Sequence, residues 1–469
     1  MFPLKQPPVY VTPEALAAQA TAMEAVAAHP KCPGSYHIVT YGCQMNAHDS
    51  EKLAGMLSGM GMAEADDRRN ADFVIFNTCC VRDNAERRAL GNVTWLKELK
   101  KEKPHLIIAV CGCMVQQPEM AEKILKQYRF IDLAFGTHNL HELPSLLLNL
   151  LNENHRVVSI SHEENQIAEN LPLKRLCKHH AYITIMYGCD NFCSYCIVPY
   201  VRGRERSRRM DDILREAEGL LEGGVQEIML LGQNVNSYGG GTSETFPELL
   251  RRLDQLGIPR IRFMTSHPKD LSDDLIDVMA NSKHICNHLH LPVQSGNNEI
   301  LALMNRRYTR EDYLRKVEKL RAAVPGIGLS TDLIVSFPGE TEAQFEDTCS
   351  LVREVGYDSA FTFIYSPRIG TKAAAMEGRI PDDESTRRIT KLIAEVEAST
   401  AKAHQSMLGT DEMVLVEGLS KRDPGMVSGK GTRNITVTFK GSAEDIGKII
   451  PVHITSAAVN TLRGERTER

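Results

Sequence analysis

Residues 187–196 read Tyr-Gly-Cys-Asp-Asn-Phe-Cys-Ser-Tyr-Cys, which places Cys189, Cys193 and Cys196 in a C-x3-C-x2-C spacing. Soft thiolates at this density indicate a metal ion or an iron–sulfur cluster. A [4Fe–4S] cluster normally takes four cysteines, so three would leave one iron open to another ligand. An open coordination position is typical of a catalytic site rather than a purely structural one.

Two simpler explanations of this cysteine loop fit the sequence poorly. A structural zinc site usually uses two separated pairs of ligands, and the chain has no C-x2-C…C-x2-C pattern. A disulfide framework belongs to secreted proteins, and the N-terminus lacks the charged-then-apolar pattern of a signal peptide. Twelve cysteines without an export signal therefore predict a reducing compartment, the cytoplasm.

Composition limits the classes of partner. The 469 residues are 42% hydrophobic and 25% charged, as in ordinary globular proteins with two or three domains. No apolar run reaches the length of a membrane span, and Leu143–Leu151 is expected to be a core helix. The formal net charge of −5 means that any nucleic-acid site must be a local basic patch.

Strands and helices alternate on the C-terminal side of the cysteine loop. The strand Tyr182–Met186 runs directly into the loop, and about six β-α units are expected in all. This pattern predicts a full or partial parallel barrel whose active site lies at the carboxyl ends of the strands. The further predicted strands are Glu227–Leu231, Arg260–Met264, His288–Leu291, Gly328–Val335 and Ala360–Ile364.

A second set of β-α units precedes the loop. Tyr36–Thr40, Asp72–Phe76 and His105–Val110 are predicted strands, each followed by a helix, which favours a doubly wound parallel sheet. Each of these strands ends in a loop that carries cysteine: Cys43, then Cys79 and Cys80, then Cys111 and Cys113. Because the carboxyl ends of parallel strands share one edge, these thiols can meet in space.

The residues alone leave the meaning of these thiols open. One cysteine at a strand end is most often a small buried hydrophobe, whereas three successive cysteine loops suggest a second cluster. The extra thiols Cys80 and Cys111 leave the choice of ligands undecided.

The two ends of the chain are simpler. An Ala-rich helix is predicted over Pro13–Ala28, and a polar stretch from Asn152 to Lys178 is expected to link the two β-α regions. A long helix, Asp383–Met407, leads to four closely spaced short strands, which predict a small β-barrel.

With these parts placed, the chain resembles the radical S-adenosylmethionine methylthiotransferases over about residues 35–467. The motifs that carry the resemblance are GCQMN at 42–46, NTC at 77–79, GCMVQ at 112–116, the cysteine loop, and VPYVRG at 198–203. LLGQNVNSY at 230–238 and HLPVQSG at 290–296 are most similar to the tRNA branch, the tRNA-2-methylthio-N6-dimethylallyladenosine synthases.

The resemblance implies two [4Fe–4S] clusters, a radical cluster on Cys189, Cys193 and Cys196 and an auxiliary cluster on Cys43, Cys79 and Cys113. It also implies that the tail is a TRAM domain, a small RNA-binding barrel. The expected domains are an N-terminal extension (1–34), a methylthiotransferase N-terminal domain (35–151), a linker (152–178), a radical core (179–404) and the TRAM domain (405–468).

The implied activity is radical methylthiolation of tRNA at C2 of N6-dimethylallyladenosine 37, beside the anticodon. S-adenosylmethionine would serve as radical source and methyl donor. A flavodoxin- or ferredoxin-like electron donor and a sulfur source are the other expected partners. Three alternatives stay open. The first is a sibling enzyme acting on threonylcarbamoyl-adenosine tRNA or on a ribosomal-protein aspartate, and the second is a non-catalytic iron–sulfur RNA-binding protein. The third is a radical enzyme that lacks the auxiliary cluster and only abstracts hydrogen.

Several further residues are candidates for binding. Tyr195, Gln294 and Asp332 fall near the cluster loop or strand ends and are candidates for the cofactor, although such residues also serve as packing aromatics and turn formers. The run 202–209 is the densest basic stretch and is a candidate for phosphate contact, although charge runs are usually solvated. The RNA-binding candidates are Arg202, Arg204, Arg206, Arg208, Lys430 and Arg433.

Overall fold

The computed structural model describes residues 7–80, 83–161, 166–240, 242–421, 423 and 425–467. The chain divides into two compact units. The first contains residues 1–176, 186–190 and 196–208, and the second contains residues 177–185, 191–195 and 209–469. The division passes through the cysteine loop, so each unit is described by itself.

The first unit is built on a six-stranded parallel sheet. Its central strand, Phe73–Thr78, is buried on both faces. Phe73 and Ile75 pack on one side and Val74 and Phe76 on the other, as the two-residue repeat of a strand requires. In sheet order the strands are Ala63–Glu64, Ser35–Thr40, Phe73–Thr78, Ile107–Gly112, Leu133–Phe135 and Val157–Ser159.

Helices cover both faces of this sheet, which makes it doubly wound. Gln44–Gly59 and Leu143–Glu153 pack on the face of Phe73. Asp83–Glu102 and Pro118–Gln127 pack on the opposite face, through side chains that include Val93 and Ile124.

Two segments outside the predicted N-terminal domain join this unit. The helix Pro13–Ala28 forms as predicted, and its Val26 is part of the core beside the sheet. Val157–Ser159, within the stretch expected to be a linker, is the sixth strand of the sheet. Gln166–Ile167 pairs in parallel with Val9–Tyr10. The alternation in these short pieces is too brief to be recognised from sequence.

The second unit contains a six-stranded parallel half-barrel made of two three-stranded sheets. A parallel bridge between Ile261 and Ile285 joins the two sheets. In order along the half-barrel the strands are His180–Thr184, Glu227–Leu231, Arg260–Phe263, His288–His290, Gly328–Val335 and Ser359–Ile364.

Helices connect these strands, as parallel pairing requires. Their starts are well marked, since Thr309 and Thr341 each form a capping box with the residue three positions later. The helices are Met210–Glu222, Phe246–Gln255, Asp273–Asn281, Asn298–Leu303, Arg310–Ala323, Glu342–Val355 and the long Asp382–Gln405.

The tail forms a closed five-stranded barrel rather than the four strands predicted. The strand missing from the prediction is Leu462–Arg466, which reads as charged and polar because only Leu462 and Gly464 face inward. The other strands are Asp411–Leu419, Met426–Lys430, Thr436–Lys440 and Ile449–Ala457.

The predicted fold class is therefore confirmed: a doubly wound sheet, a partial parallel barrel and a small all-β barrel. Among helices of the described residues, none combines the length and apolar composition needed to span a bilayer.

Candidate functional site

The cysteine loop begins with a turn that only glycine fits. Gly188 has a φ of +73°, and a Cβ there would lie 2.1 Å from the carbonyl oxygen of Arg204. The backbone N–H of Cys189 donates to the Gly203 carbonyl at 3.2 Å. Met186–Tyr187 pairs antiparallel with Arg206–Ser207. The first ligand candidate is thus held by the residues that follow the loop.

The middle of the loop is fastened within the second unit. The side-chain amide of Asn305 donates to the Phe192 carbonyl at 2.9 Å, and Phe192 has a positive φ of 45°. The Ser194 N–H donates to the Met304 carbonyl at 3.0 Å. Contacts on either side of Cys193 therefore fix the backbone that carries its thiol.

A buried arginine contacts this thiol directly. Arg306 is 4% exposed, and its Nη1 lies 3.3 Å from the Cys193 Sγ. Its other contacts are the Pro292 carbonyl at 2.6 Å from Nη2, the Tyr308 hydroxyl at 2.8 Å from Nε and the Tyr195 hydroxyl at 3.5 Å from Nη1. The guanidinium thus joins the cysteine loop to the HLPVQSG motif.

The cofactor candidates lie in this same unit. Tyr195 shares the Arg306 contact with Cys193. Gln294 is buried with a φ of +75°, and its backbone pairs with the strand that carries Asp332, whose carbonyl accepts from the Gln294 N–H at 2.9 Å. Asp332 Oδ2 lies 3.7 Å from His290 Nε2. The structure therefore puts Gln294 beside the strand Gly328–Val335, and Asp332 lies within that strand rather than at its end as predicted. Contact of these residues with a cofactor stays a prediction.

The first unit brings three cysteine-bearing strand ends together. The register pairs Thr40 with Asn77 and Thr78 with Gly112, so the loops after these residues are neighbours. Gly42 has a φ of +112°, and a Cβ on it would lie 2.5 Å from the Cβ of Cys79. Cys43 caps the start of the helix Gln44–Gly59. The loops that carry Cys43, Cys79 and Cys113 are therefore neighbours at this edge of the sheet.

The two extra thiols have different surroundings. Cys111 is buried in the core on one face of the sheet, where burial raises its pKa well above the usual range. Cys80 lies with Cys113 in the core on the other face and donates a hydrogen bond to it. That bond, and then the charge of Arg202, lower the pKa of Cys113 to about 6 against the effect of burial. Cys113 is thus poised as a thiolate, the form that binds metal.

Arg202 is the second buried arginine at a cysteine site. It is 4% exposed, and its Nε lies 3.3 Å from the Cys113 Sγ. Its Nη2 donates to Asn46 Oδ1 and to Asp49 Oδ2, each at 2.8 Å. Asp49 is also buried, and its carboxylate forms an ion pair with Arg202. The positive charge next to Cys113 is therefore balanced by a carboxylate.

Both sets of thiols fit an iron–sulfur cluster in their chemistry. Thiolates are the usual protein ligands of iron in such clusters. Each set includes a cysteine sulfur within 3.3 Å of a buried guanidinium nitrogen, which offsets the negative charge that a thiolate-bound cluster brings. The two ligand sets, Cys43 with Cys79 and Cys113 and Cys189 with Cys193 and Cys196, stay predictions.

The basic run 202–209 is used inside the protein. Arg206 is buried, lies over the Tyr187 ring and donates to the Arg202 carbonyl at 2.8 Å. Arg208 is buried and binds both carboxylate oxygens of Glu169 at 2.6 Å. Arg204 pairs with Asp190 at 3.0 Å. These guanidiniums bind protein groups in the structure, and their predicted contact with phosphate stays a prediction.

The basic candidates of the tail are also engaged. Lys430 donates to Thr436 Oγ1 at 2.9 Å, and burial lowers its pKa. Arg433 forms an ion pair with the buried Asp358. Their placement therefore favours a structural role over the RNA contact that was predicted.

The turn 430–433 of the small barrel rests against the strands of the half-barrel. Arg260 donates to the carbonyls of Lys430 and Gly431 at 2.8 and 2.9 Å. Arg262 donates to the carbonyls of Gly431 and Thr432 at 3.1 and 3.2 Å. Both arginines also pair with the buried Glu227. The two barrels of the second unit are thus joined through buried charged groups.

Sequence reasoning missed Arg306 and Asp49. Asn305-Arg306-Arg307-Tyr308 reads as an ordinary polar turn after a helix, and its partner Cys193 is distant in sequence. Asp49 lies on the helix Gln44–Gly59 close to a cysteine motif and has no recognisable spacing of its own. The one available signal was the nearness of Arg202 to the cysteine loop, which was interpreted as an RNA site.

Comparison with known proteins identifies three regions. The family models that match are described as the radical SAM superfamily over residues 183–352, the uncharacterized protein family UPF0004 over residues 35–136, and the TRAM domain over residues 405–466.

Curated relatives extend this likeness over nearly the whole chain. The tRNA-2-methylthio-N(6)-dimethylallyladenosine synthase of Lachnoclostridium phytofermentans is 50% identical over 93% of this chain and 96% of its own length. The proteins of the same name from Caldicellulosiruptor saccharolyticus and Alkaliphilus oremlandii are 51% and 49% identical, over 92% and 98% of this chain and 92% and 99% of their own lengths. The chain belongs to this synthase family.

Solved structures show the same fold as this member of the synthase family. A radical S-adenosylmethionine methyltransferase, TsrM from Kitasatospora setae, aligns with TM-scores of 0.54 and 0.51 in two structures. These alignments cover 78% and 70% of this chain and 89% and 72% of that protein, at 14% and 15% identity. At this identity the likeness concerns the fold alone.

Proposed function

We propose that this chain transfers a methylthio group to C2 of N6-dimethylallyladenosine 37 in tRNA, next to the anticodon. The observation that carries the proposal is the name shared by curated relatives that are about half identical over more than nine tenths of the chain. The residue arrangement supports it, because the chain carries two thiol sets suited to clusters, as the activity needs.

Two [4Fe–4S] clusters belong to this proposal. Cys189, Cys193 and Cys196 would hold the cluster that acts on S-adenosylmethionine, and Cys43, Cys79 and Cys113 would hold the auxiliary one. When bound, the clusters supply the electron that cleaves S-adenosylmethionine to methionine and a 5′-deoxyadenosyl radical, and the sulfur that enters the base.

The protein residues position the cofactor and exclude water. We assign Tyr195 to the adenine of S-adenosylmethionine, since its ring is packed beside Ile300 and Met304 while its hydroxyl stays near Arg306. Gln294 and Asp332 are assigned to polar groups of the same cofactor, because the backbone of Gln294 pairs with the half-barrel strand that carries Asp332.

The RNA contact is assigned to the small barrel. The TRAM match and the tRNA named in the relatives support this assignment. Because Lys430 and Arg433 bind protein groups, exposed residues such as Lys421 and Lys440 are better candidates for phosphate. The target base would leave the stack of the anticodon loop, as in other base-modifying enzymes.

Three partners and a location complete the proposal. A low-potential electron donor of the flavodoxin or ferredoxin type would reduce the cluster, and a separate sulfur source would renew the sulfur that is consumed. Because the proposed substrate is tRNA, the cytoplasm is the proposed location. The expected domain boundaries, including the core at 179–404, stay part of the proposal.

The decisive experiment is an anaerobic assay on reconstituted protein. Dithionite, S-adenosylmethionine and tRNA bearing the prenylated adenosine are added, and the digested nucleosides are examined by mass spectrometry. The expected result is 5′-deoxyadenosine together with a nucleoside heavier by one methylthio group in place of hydrogen. The full-length C189A/C193A/C196A variant is the matched control and should yield neither.

The other outcomes separate the alternatives. Deoxyadenosine without a heavier nucleoside from this tRNA, but with a product from threonylcarbamoyl-adenosine tRNA or a ribosomal protein, identifies a sibling enzyme. Neither product from protein that holds both clusters would overturn the enzymatic proposal in favour of an iron–sulfur RNA-binding protein.

A further inference from the structure

We propose that Arg306 is a positioning residue that raises the reduction potential of a cluster bound at Cys193, through a buried positive charge that no carboxylate of the described residues balances. The inference rests on the proposed function only in requiring a cluster on the Cys189–Cys196 loop. It requires neither the tRNA substrate nor the auxiliary cluster.

The geometry directs the Arg306 charge at the cysteine sulfur. Nη1 lies 3.3 Å from Cys193 Sγ, while the Pro292 carbonyl holds Nη2 at 2.6 Å and Tyr308 holds Nε at 2.8 Å. The two contacts to Pro292 and Tyr308 leave the guanidinium plane little freedom, so the Nη1–sulfur contact is set by the fold. Tyr308 is itself held, since its hydroxyl donates to the Val293 carbonyl at 2.8 Å.

Apart from the Cys193 sulfur, the hydrogen-bond partners of Arg306 are two tyrosine hydroxyls and a backbone carbonyl. Across the described residues no carboxylate oxygen lies within 4.0 Å of Arg306, whereas Arg202 at the other cysteine site has Asp49 at 2.8 Å. The same charge reaches His267, whose ring packs edge-to-face on Tyr308. Burial, and then the Arg306 charge, hold the pKa of His267 well below its usual range, so this neighbour stays neutral.

A charge placed in this way favours the reduced cluster. Reduction adds one negative charge, and a nearby cation in a poorly solvated site stabilises that charge. Hydrogen bonds to the sulfurs and local net charge are established determinants of iron–sulfur potentials. At Cys113 the Arg202–Asp49 pair is neutral overall. An arginine at the same distance from the sulfur should therefore raise the reduction potential less at that site.

The test measures the potential of one cluster in the full-length chain. The C43A/C79A/C113A variant serves as parent, so that only the loop cluster contributes to the spectrum. Its midpoint potential is determined anaerobically by a redox titration monitored by electron paramagnetic resonance. The same measurement is made after Arg306→Gln and Arg306→Lys, with iron content and thermal unfolding recorded for each protein.

Two controls separate charge from structure. Arg388 is another buried arginine of the second unit and is paired with Glu340, so Arg388→Gln tests the general loss of a buried guanidinium. Tyr308→Phe removes a hydrogen-bond partner of Arg306 and keeps the charge. Neither control is expected to move the potential as far as Arg306→Gln does.

We expect Arg306→Gln to shift the midpoint potential to a more negative value and Arg306→Lys to restore part of the shift. An unchanged potential in Arg306→Gln with full iron content would overturn the inference, as would an equal shift in Arg388→Gln. If Arg306→Gln loses the cluster, the Arg306→Lys variant becomes the test. Loss of iron from Arg306→Lys, with an unchanged midpoint potential in the clusters that remain, would indicate a structural role and overturn the inference.

Failure of the proposed function gives a different pattern. A parent variant without a cluster on the loop would refute both proposals. The predicted shift in a protein whose wild type forms no methylthiolated nucleoside would refute the proposed function and leave the inference standing.

Discussion

The two cysteine sites differ in how the chain builds them. Cys189, Cys193 and Cys196 lie in one eight-residue loop, whereas Cys43, Cys79 and Cys113 follow three different strands. The loop site depends on local turns such as Gly188 and on contacts to residues 303–306. The sheet-edge site depends on the register of three strands, so any change that moves one strand end should affect it.

Removing either set of cysteines should have the largest effect on activity. We expect C189A/C193A/C196A to lose deoxyadenosine formation and methylthiolation to background. C43A/C79A/C113A should lose methylthiolation to the same extent and still form deoxyadenosine, because cleavage of S-adenosylmethionine needs only the loop cluster. Quantification of both products by mass spectrometry checks this, and loss of deoxyadenosine in the second variant would contradict separate roles.

Substitutions at the adjacent Cys79 and Cys80 test which of the two is a ligand at the sheet edge. Cys79→Ser is expected to reduce iron from about eight to about four per chain. Cys80→Ser should keep nearly all of the iron, because Cys80 donates a hydrogen bond to Cys113 as a thiol with a raised pKa. Iron analysis and the visible absorption spectrum make the measurement. The reverse result would show that Cys80 is the ligand.

A change of backbone geometry at Gly42 should have a smaller effect, and only on the sheet-edge site. Gly42 has a φ of +112°, and Gly42→Ala introduces a Cβ at 2.5 Å from the Cys79 Cβ. We expect the free energy of unfolding to fall by about 1–3 kcal/mol. We also expect the protein to lose the auxiliary cluster. Chemical denaturation and iron analysis measure the two losses.

Gly61→Ala is the matched control, since Gly61 has a φ of +82° and a Cβ there would meet no described atom within 4 Å. It should cost about 1 kcal/mol of backbone strain and leave the iron content unchanged. Equal iron in both variants would show that the contact with Cys79 does not matter.

The last prediction concerns the balance of charge at Arg202. Asp49→Asn removes the carboxylate from Arg202 and should lower the free energy of unfolding by roughly 3 kcal/mol, as breaking a buried pair commonly does. It should also shift the auxiliary potential to a more positive value, which makes that site resemble the one at Arg306. Chemical denaturation and a redox titration of the C189A/C193A/C196A background check the two effects, and an unchanged potential would show that Asp49 does not offset the arginine charge.

The difference between the loop site and the sheet-edge site also explains which features could be predicted from the sequence. A loop site is visible as spacing, and the sheet edge followed from the alternation of strands and helices around Cys43, Cys79 and Cys113. The same reasoning gave the half-barrel, because its short strands alternate with helices along the sequence. These features depend on local pattern, which a sequence records directly.

The charged residues were harder to place, because a sequence does not show whether a guanidinium is paired. Arg202, Arg206 and Arg208 resemble an RNA-binding run until their partners Asp49, the Arg202 carbonyl and Glu169 are seen. The fifth strand of the small barrel, Leu462–Arg466, was missed for a related reason. It has so few inward positions that its polar residues dominate the pattern.

The contacts of the turn 430–433 have a consequence for how the chain is made. Arg260 and the Lys430 carbonyl that it binds are 170 residues apart in sequence. At synthesis rates of about 5–20 residues per second, the arginine leaves the ribosome roughly ten to thirty seconds before its acceptor. During that interval the strands Glu227–Leu231 and Arg260–Phe263 have emerged without the carbonyls that complete their buried ion pairs. A segment translated long after these strands therefore completes the hydrogen bonds of the second unit, and a chain that ends before residue 430 lacks the carbonyls that accept from Arg260 and Arg262.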